Sequence, residues 1–101
     1  MAPRFANDYP AMAAAPYQMQ PLGYQQLTPT SATGLAPPAN ATFALIKADT
    51  AAATWRDDGI APTASVGMPM ATSDPPLLYA GDLTAIQFIS ATGHVNISYY
   101  R

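Results

Sequence analysis

The clearest alternation of apolar and polar positions lies in the second half of the chain. Thr42-Phe43-Ala44-Leu45-Ile46-Lys47-Ala48 reads as a strand, with Phe43 and Leu45 on one face and Ala44 and Ile46 on the other. Ala52 to Arg56 forms a second, shorter strand, joined to the first through Asp49-Thr50. Asp57-Asp58-Gly59 follows as a turn in which Gly59 supplies a positive φ. Val66 to Met70 is a weaker strand, limited by Gly67 and Pro69. Leu77-Leu78-Tyr79 comes next, and Ala80-Gly81-Asp82 turns the chain into Thr84 to Ser90, where Ile86 and Phe88 point away from Gln87. Thr92-Gly93-His94 makes the last turn. Beyond it, Val95, Ile97 and Tyr99 alternate with Asn96 and Ser98.

Short strands with a turn signal about every ten residues, and no segment that reads as a helix, predict an all-β fold. The expected architecture is a small antiparallel β-sandwich, jelly-roll-like or barrel-like. Its core is expected to be Phe43, Trp55, Ile86, Phe88, Val95 and Ile97.

The composition changes near residue 38. Residues 1–38 hold seven of the 11 prolines, four of the five glutamines and only two charged residues, Arg4 and Asp8. Proline at this density stops helix propagation and removes ladder donors, so the segment is expected to be extended or polyproline-like. Phe5, Tyr9, Met12, Tyr17, Met19, Leu22, Tyr24 and Leu27 recur along it every two to five residues. One reading is a disordered, slightly sticky tail. The other is an arm that orders across a partner subunit, with these eight side chains as anchors in its pockets. The predicted division is therefore an extended N-terminal arm, 1–38, and a β-sandwich body, 39–101. A body of that size is marginal by itself, which favours assembly with partners.

Charge and chemistry narrow the function classes. Four basic and six acidic residues give a net charge of −2, with no basic cluster, so phosphate-driven binding of nucleic acid is not expected. No apolar run reaches the roughly 18 residues of a membrane-spanning helix, and no secretion signal is read at the start. The absence of cysteine and the single His94 leave no metal-ligand pattern, and the isolated glycines form no phosphate-cradling loop. No cofactor is expected.

Asp57-Asp58 reads as an Asx-type turn paired with Arg56, and His94 as an exposed turn residue; neither belongs to a nucleophile or acid–base constellation. Trp55 with Tyr99-Tyr100 would suit a glycan-stacking platform, but strand alternation sends one of the two tyrosines inward. Asn40-Ala41-Thr42 and Asn96-Ile97-Ser98 fit the glycosylation sequon, and both read as chance matches.

One resemblance bears on function. It rests on Ala44-Leu45-Ile46-Lys47-Ala48, Trp55-Arg56-Asp57-Asp58-Gly59, Ala61 to Met68, Leu77-Leu78-Tyr79 with Gly81-Asp82-Leu83, Ile86 to Ile89, and Val95 to Arg101. This string of motifs resembles small structural proteins encoded among the virion genes of tailed bacteriophages and prophages. The resemblance implies a non-enzymatic virion component, assembled in the host bacterial cytoplasm. Its partners would be the major capsid protein or other virion proteins, and the protein itself a homo-oligomer on the particle. A capsid decoration or cement protein clamped by the arm is the expected role. A tail, head-fibre or baseplate component is the alternative within this class, and a host-glycan-binding module the alternative outside it.

Overall fold

The computed structural model describes residues 19–101. They form eight strands: β1 Pro21–Leu27, β2 Thr33–Gly34, β3 Phe43–Asp49, β4 Ala53–Arg56, β5 Met68–Met70, β6 Leu77–Tyr79, β7 Gln87–Ile89 and β8 His94–Tyr100. No helix occurs among the described residues. Two four-stranded sheets run in the orders β1-β8-β3-β6 and β2-β7-β4-β5, and every pairing is antiparallel.

This order follows from a simple construction. Pairing β4 with β5, β3 with β6, β2 with β7 and β1 with β8 makes one long nested hairpin. Rolling it up brings β8 beside β3 and β7 beside β4. The result is the eight-stranded jelly roll, and the sandwich expected from alternation takes this form.

The two inner faces share one core. Ala44, Ile46, Ala48, Tyr79, Val95, Ile97, Tyr99 and Leu27 come from the first sheet, and Ala53, Met70 and Phe88 from the second, with Leu83 and Ile86 from the loop before β7. Ile86, Phe88, Val95 and Ile97 are fully buried, as the alternation predicts. Phe43 is not in the core. β3 turns its small face inward, because Ala44 lies in register between Tyr79 and Tyr99, whose rings occupy the space a larger residue would need. Phe43 lies outside and stacks on Tyr100, with ring centroids 5.5 Å apart. Trp55 does face inward, but at the rim, edge-on to Tyr79 at 6.2 Å.

The division at residue 38 does not hold. β1 occupies an edge of the first sheet, paired with β8 from Gly23↔Tyr99 to Leu27↔Val95, and β2 pairs with β7. Residues 21–34 thus belong to the body. The prolines that suggested an arm sit where sheets tolerate them: Pro21 opens an edge strand, Pro29 lies in the β1–β2 turn, and Pro37-Pro38 fall in the next loop. Leu27 is 7% exposed and lies in this chain's own core, and Leu22 packs against that core, so neither is a free anchor. Met19 and Tyr24 are exposed. Phe5, Tyr9, Met12 and Tyr17 lie outside the described residues.

Turns account for the shorter strands. Asp82 captures Thr84 through both its backbone N–H (2.9 Å) and its hydroxyl (2.6 Å), and Ala85 N–H donates to the Asp82 carbonyl, so β7 begins only at Gln87 rather than Thr84. β5 starts at Met68 because Gly67, at φ +144°, breaks the run. At the opposite end of the sandwich the buried Ser90 hydroxyl donates to the Ala52 carbonyl (2.8 Å) and accepts from Gly93 N–H (3.1 Å), tying the β3–β4 and β7–β8 turns together.

Candidate interaction surfaces

The outward face of the first sheet carries several large apolar side chains. Register sets Tyr24, Ser98, Leu45 and Leu78 in one row across all four strands. Tyr24 is 65% exposed and Leu78 61%, against an ordinary expectation that large apolar side chains on a small domain turn inward. The stacked pair Phe43–Tyr100 lies one step along the strands. On the other side of the row, Gln26, Asn96 and Lys47 form a polar border. There the Asn96 Oδ1 accepts from the Tyr24 hydroxyl (2.5 Å) and from Gln26 Nε2 (2.9 Å), which fixes the Tyr24 ring over the sheet.

A second surface lies along the flank where edge strands β5 and β6 meet. Trp55, Met68, Met70, Pro75, Pro76 and Leu77 line a groove of about 390 Å³, with Asp74 on its wall. Met68 is 56% exposed although its partner in the ladder is the inward-facing Trp55. Among the described residues neither β5 nor β6 has a backbone partner on its outer side. The groove wall is braced by Lys47, whose Nζ donates to the carbonyls of Thr72 (2.6 Å) and Asp74 (2.8 Å), while Asp74 Oδ2 accepts from Ala71 N–H (2.8 Å). The opposite flank carries a smaller groove of about 310 Å³, where Gln25 on β1 points inward and its Oε1 accepts from the Tyr99 hydroxyl (2.6 Å) and from Ala36 N–H (3.2 Å).

The acidic turn is structural in its contacts. Arg56 Nε donates to Asp58 Oδ1 (3.0 Å) in a two-pronged pair, which holds the Asp58 carboxyl below and the guanidinium above their ordinary ranges. Asp57 accepts from the Tyr79 hydroxyl at 2.8 Å. Burial and the Asp57 charge push the Tyr79 phenol up to about 12. Gly59 has φ +83°, as the turn reading required.

His94 opens β8 opposite Asp49, with its Nδ1 3.3 Å from the Thr28 hydroxyl, and is half-buried rather than an exposed turn residue. Among the described residues no three of His, Asp and Glu gather at a distance that would hold a metal ion. Trp55 and Tyr100 do not form a joint platform, since one faces inward on the second sheet and the other outward on the first. No helix among the described residues is long and apolar enough to cross a membrane.

Sequence reasoning placed Tyr24 among the arm anchors and did not single out Leu45 and Leu78, which share its face of the sheet. The signal that would have found them is the choice of face on β3: once Ala44 and Ile46 are inward, Phe43 and Leu45 must be outward. Comparison with protein-family models, with curated proteins and with solved structures finds no match to this chain.

Proposed function

We propose that this chain is a non-enzymatic structural protein of a tailed-phage particle, a capsid decoration protein that docks on major capsid subunits. The observation that carries the docking is the outward face of the first sheet, where Leu45, Leu78, Phe43 and Tyr100 adjoin and Tyr24 stands beyond Ser98 at the end of the same row. Such a surface on a small domain marks a site of association. The phage assignment itself draws on the resemblance of the motifs between Ala44 and Arg101. The jelly roll is an architecture used by capsid and lectin domains, and it supports the reading only as an analogy of fold.

Covering this face would release ordered water from five large side chains, each contributing about 1–2 kcal/mol when fully desolvated. A rigid sheet presents them with little loss of conformational entropy. Symmetry on a shell repeats the contact, so a modest affinity per copy suffices. The net charge of −2 limits repulsion between closely spaced copies. Attachment is thus assigned to a sheet face of the body, in place of a 38-residue clamp.

Co-sedimentation of the full chain with particles from the encoding phage or prophage tests this. Leu78→Asp, at an exposed position, should leave far-UV circular dichroism unchanged and weaken occupancy at least about tenfold. Wild-type occupancy with that variant and with Leu45→Lys would remove the sheet face from the attachment.

A further inference from the structure

We propose that residues 1–18 of one copy lie in the β5–β6 groove of the next copy, linking the domains head to tail. Three observations converge on this occupant. The first is position. The chain enters the described fold at Met19-Gln20, where Gln20 and Arg101 exchange backbone hydrogen bonds at 3.0 Å beside β1. β1 and β6 are opposite edges of the same sheet, so the segment leaves one flank and the groove opens on the other. A donor on one flank and an acceptor on the opposite flank is the arrangement of a heterologous contact, which repeats from copy to copy.

The second is chemistry. The groove is built of Trp55, Met68, Pro75, Pro76 and Leu77. Aromatic and proline-lined grooves of this kind receive extended, proline-containing chains, whose rings insert between the ridges. Residues 1–18 contain Pro3, Pro10 and Pro16, with Tyr9 directly before one proline and Tyr17 directly after another, and Phe5 and Met12 between. The third is charge and reach. Arg4 and Asp8 are the segment's two charged side chains, and Asp74 on the groove wall complements Arg4. Eighteen residues span up to about 60 Å when extended, enough to cross to an adjacent domain.

This inference does not rest on the phage reading. A chain absent from particles would leave it standing, and its failure would leave the sheet-face docking intact.

The chain has no cysteine, so single thiols can be placed without background. Full-length Tyr9→Cys and full-length Met68→Cys proteins are mixed in equal amounts under mild oxidation, and the disulfide-linked dimers are separated by mass. The mixed dimer should exceed either homodimer about tenfold, and Pro75→Asp with Pro76→Asp, at exposed positions in the groove of the Met68→Cys chain, should reduce it by a similar factor. Mixed and like dimers in random proportion would overturn the proposal. So would a Tyr9→Cys/Met68→Cys double variant that closes on itself as a monomer at all concentrations, which would place the segment in its own groove.

Discussion

Truncation of Leu27 separates a body strand from an arm. The side chain is 7% exposed at the end of β1, opposite Val95, which is fully buried. Leu27→Ala removes three carbons from the core and leaves a cavity that closes only partly, because the neighbouring β8 is pinned on its other side by β3. Leu→Ala in cores costs about 2–5 kcal/mol, and a position at the end of an edge strand belongs at the lower end, about 2–3 kcal/mol. That is a large share of the roughly 5–10 kcal/mol expected for a domain this small. It corresponds to a fall in Tm of about 10–20 °C. The assay is urea unfolding of the full chain, followed by far-UV circular dichroism and by the fluorescence of Trp55, the single tryptophan. The midpoint should fall with an unchanged m-value. Tyr24→Ala, at a 65% exposed site on the same strand, should change stability by no more than about 1 kcal/mol. If Leu27→Ala costs less than about 0.5 kcal/mol, β1 is not part of the folding unit and the reasoning fails.

Other consequences follow from individual contacts. A Cβ at Gly93 would lie 2.8 Å from the Ala51 carbonyl oxygen and 2.9 Å from that of Asp49, so Gly93→Ala should destabilise by about 1–3 kcal/mol in the same urea assay. Ser90→Ala removes the hydroxyl that joins two turns and should cost about 1–3 kcal/mol, whereas Thr92→Ala, at an exposed position in the β7–β8 turn, should be near neutral. Lys47→Met frees the carbonyls of Thr72 and Asp74, and hydrogen exchange should quicken at the backbone amides of the β5–β6 loop while the β8 amides stay protected. The Tyr79 phenol, with an ordinary value of 10.0 raised to about 12 in the fold, stabilises the protein fully below pH 10; that contribution is lost as pH rises from 10 towards 12, and Tyr79→Phe should flatten this part of the stability–pH profile.

How much of this was legible in the sequence depended on side-chain alternation. β8 was readable because Val95, Ile97 and Tyr99 are large and inward while Asn96 and Ser98 are polar and outward. β1 was not, because its inward positions are Gly23, Gln25 and Leu27. A glycine and a glutamine give no apolar period; Gln25 is accommodated only because Tyr99 and Ala36 donate to it, a long-range arrangement that no local pattern encodes. β3 was readable as a strand but not as to its buried face, since Phe43-Leu45 and Ala44-Ile46 are both apolar. Packing against Tyr79 and Tyr99 decided for the smaller pair. The same decision created the exposed row on the outer face, so the proposed docking surface was hidden for the reason that the core was. The groove was hidden differently, since β5 and β6 are three-residue strands whose meeting at one flank depends on the rolled topology.

The central claim is that this domain coats a phage shell through its first sheet. Its most direct test is the number of copies in purified particles, measured by quantitative mass spectrometry against the most abundant shell protein. The account predicts a ratio on the order of one copy per shell subunit. A few copies per hundred subunits would contradict shell decoration and place the protein in a tail or fibre, and finding none would contradict the virion assignment altogether.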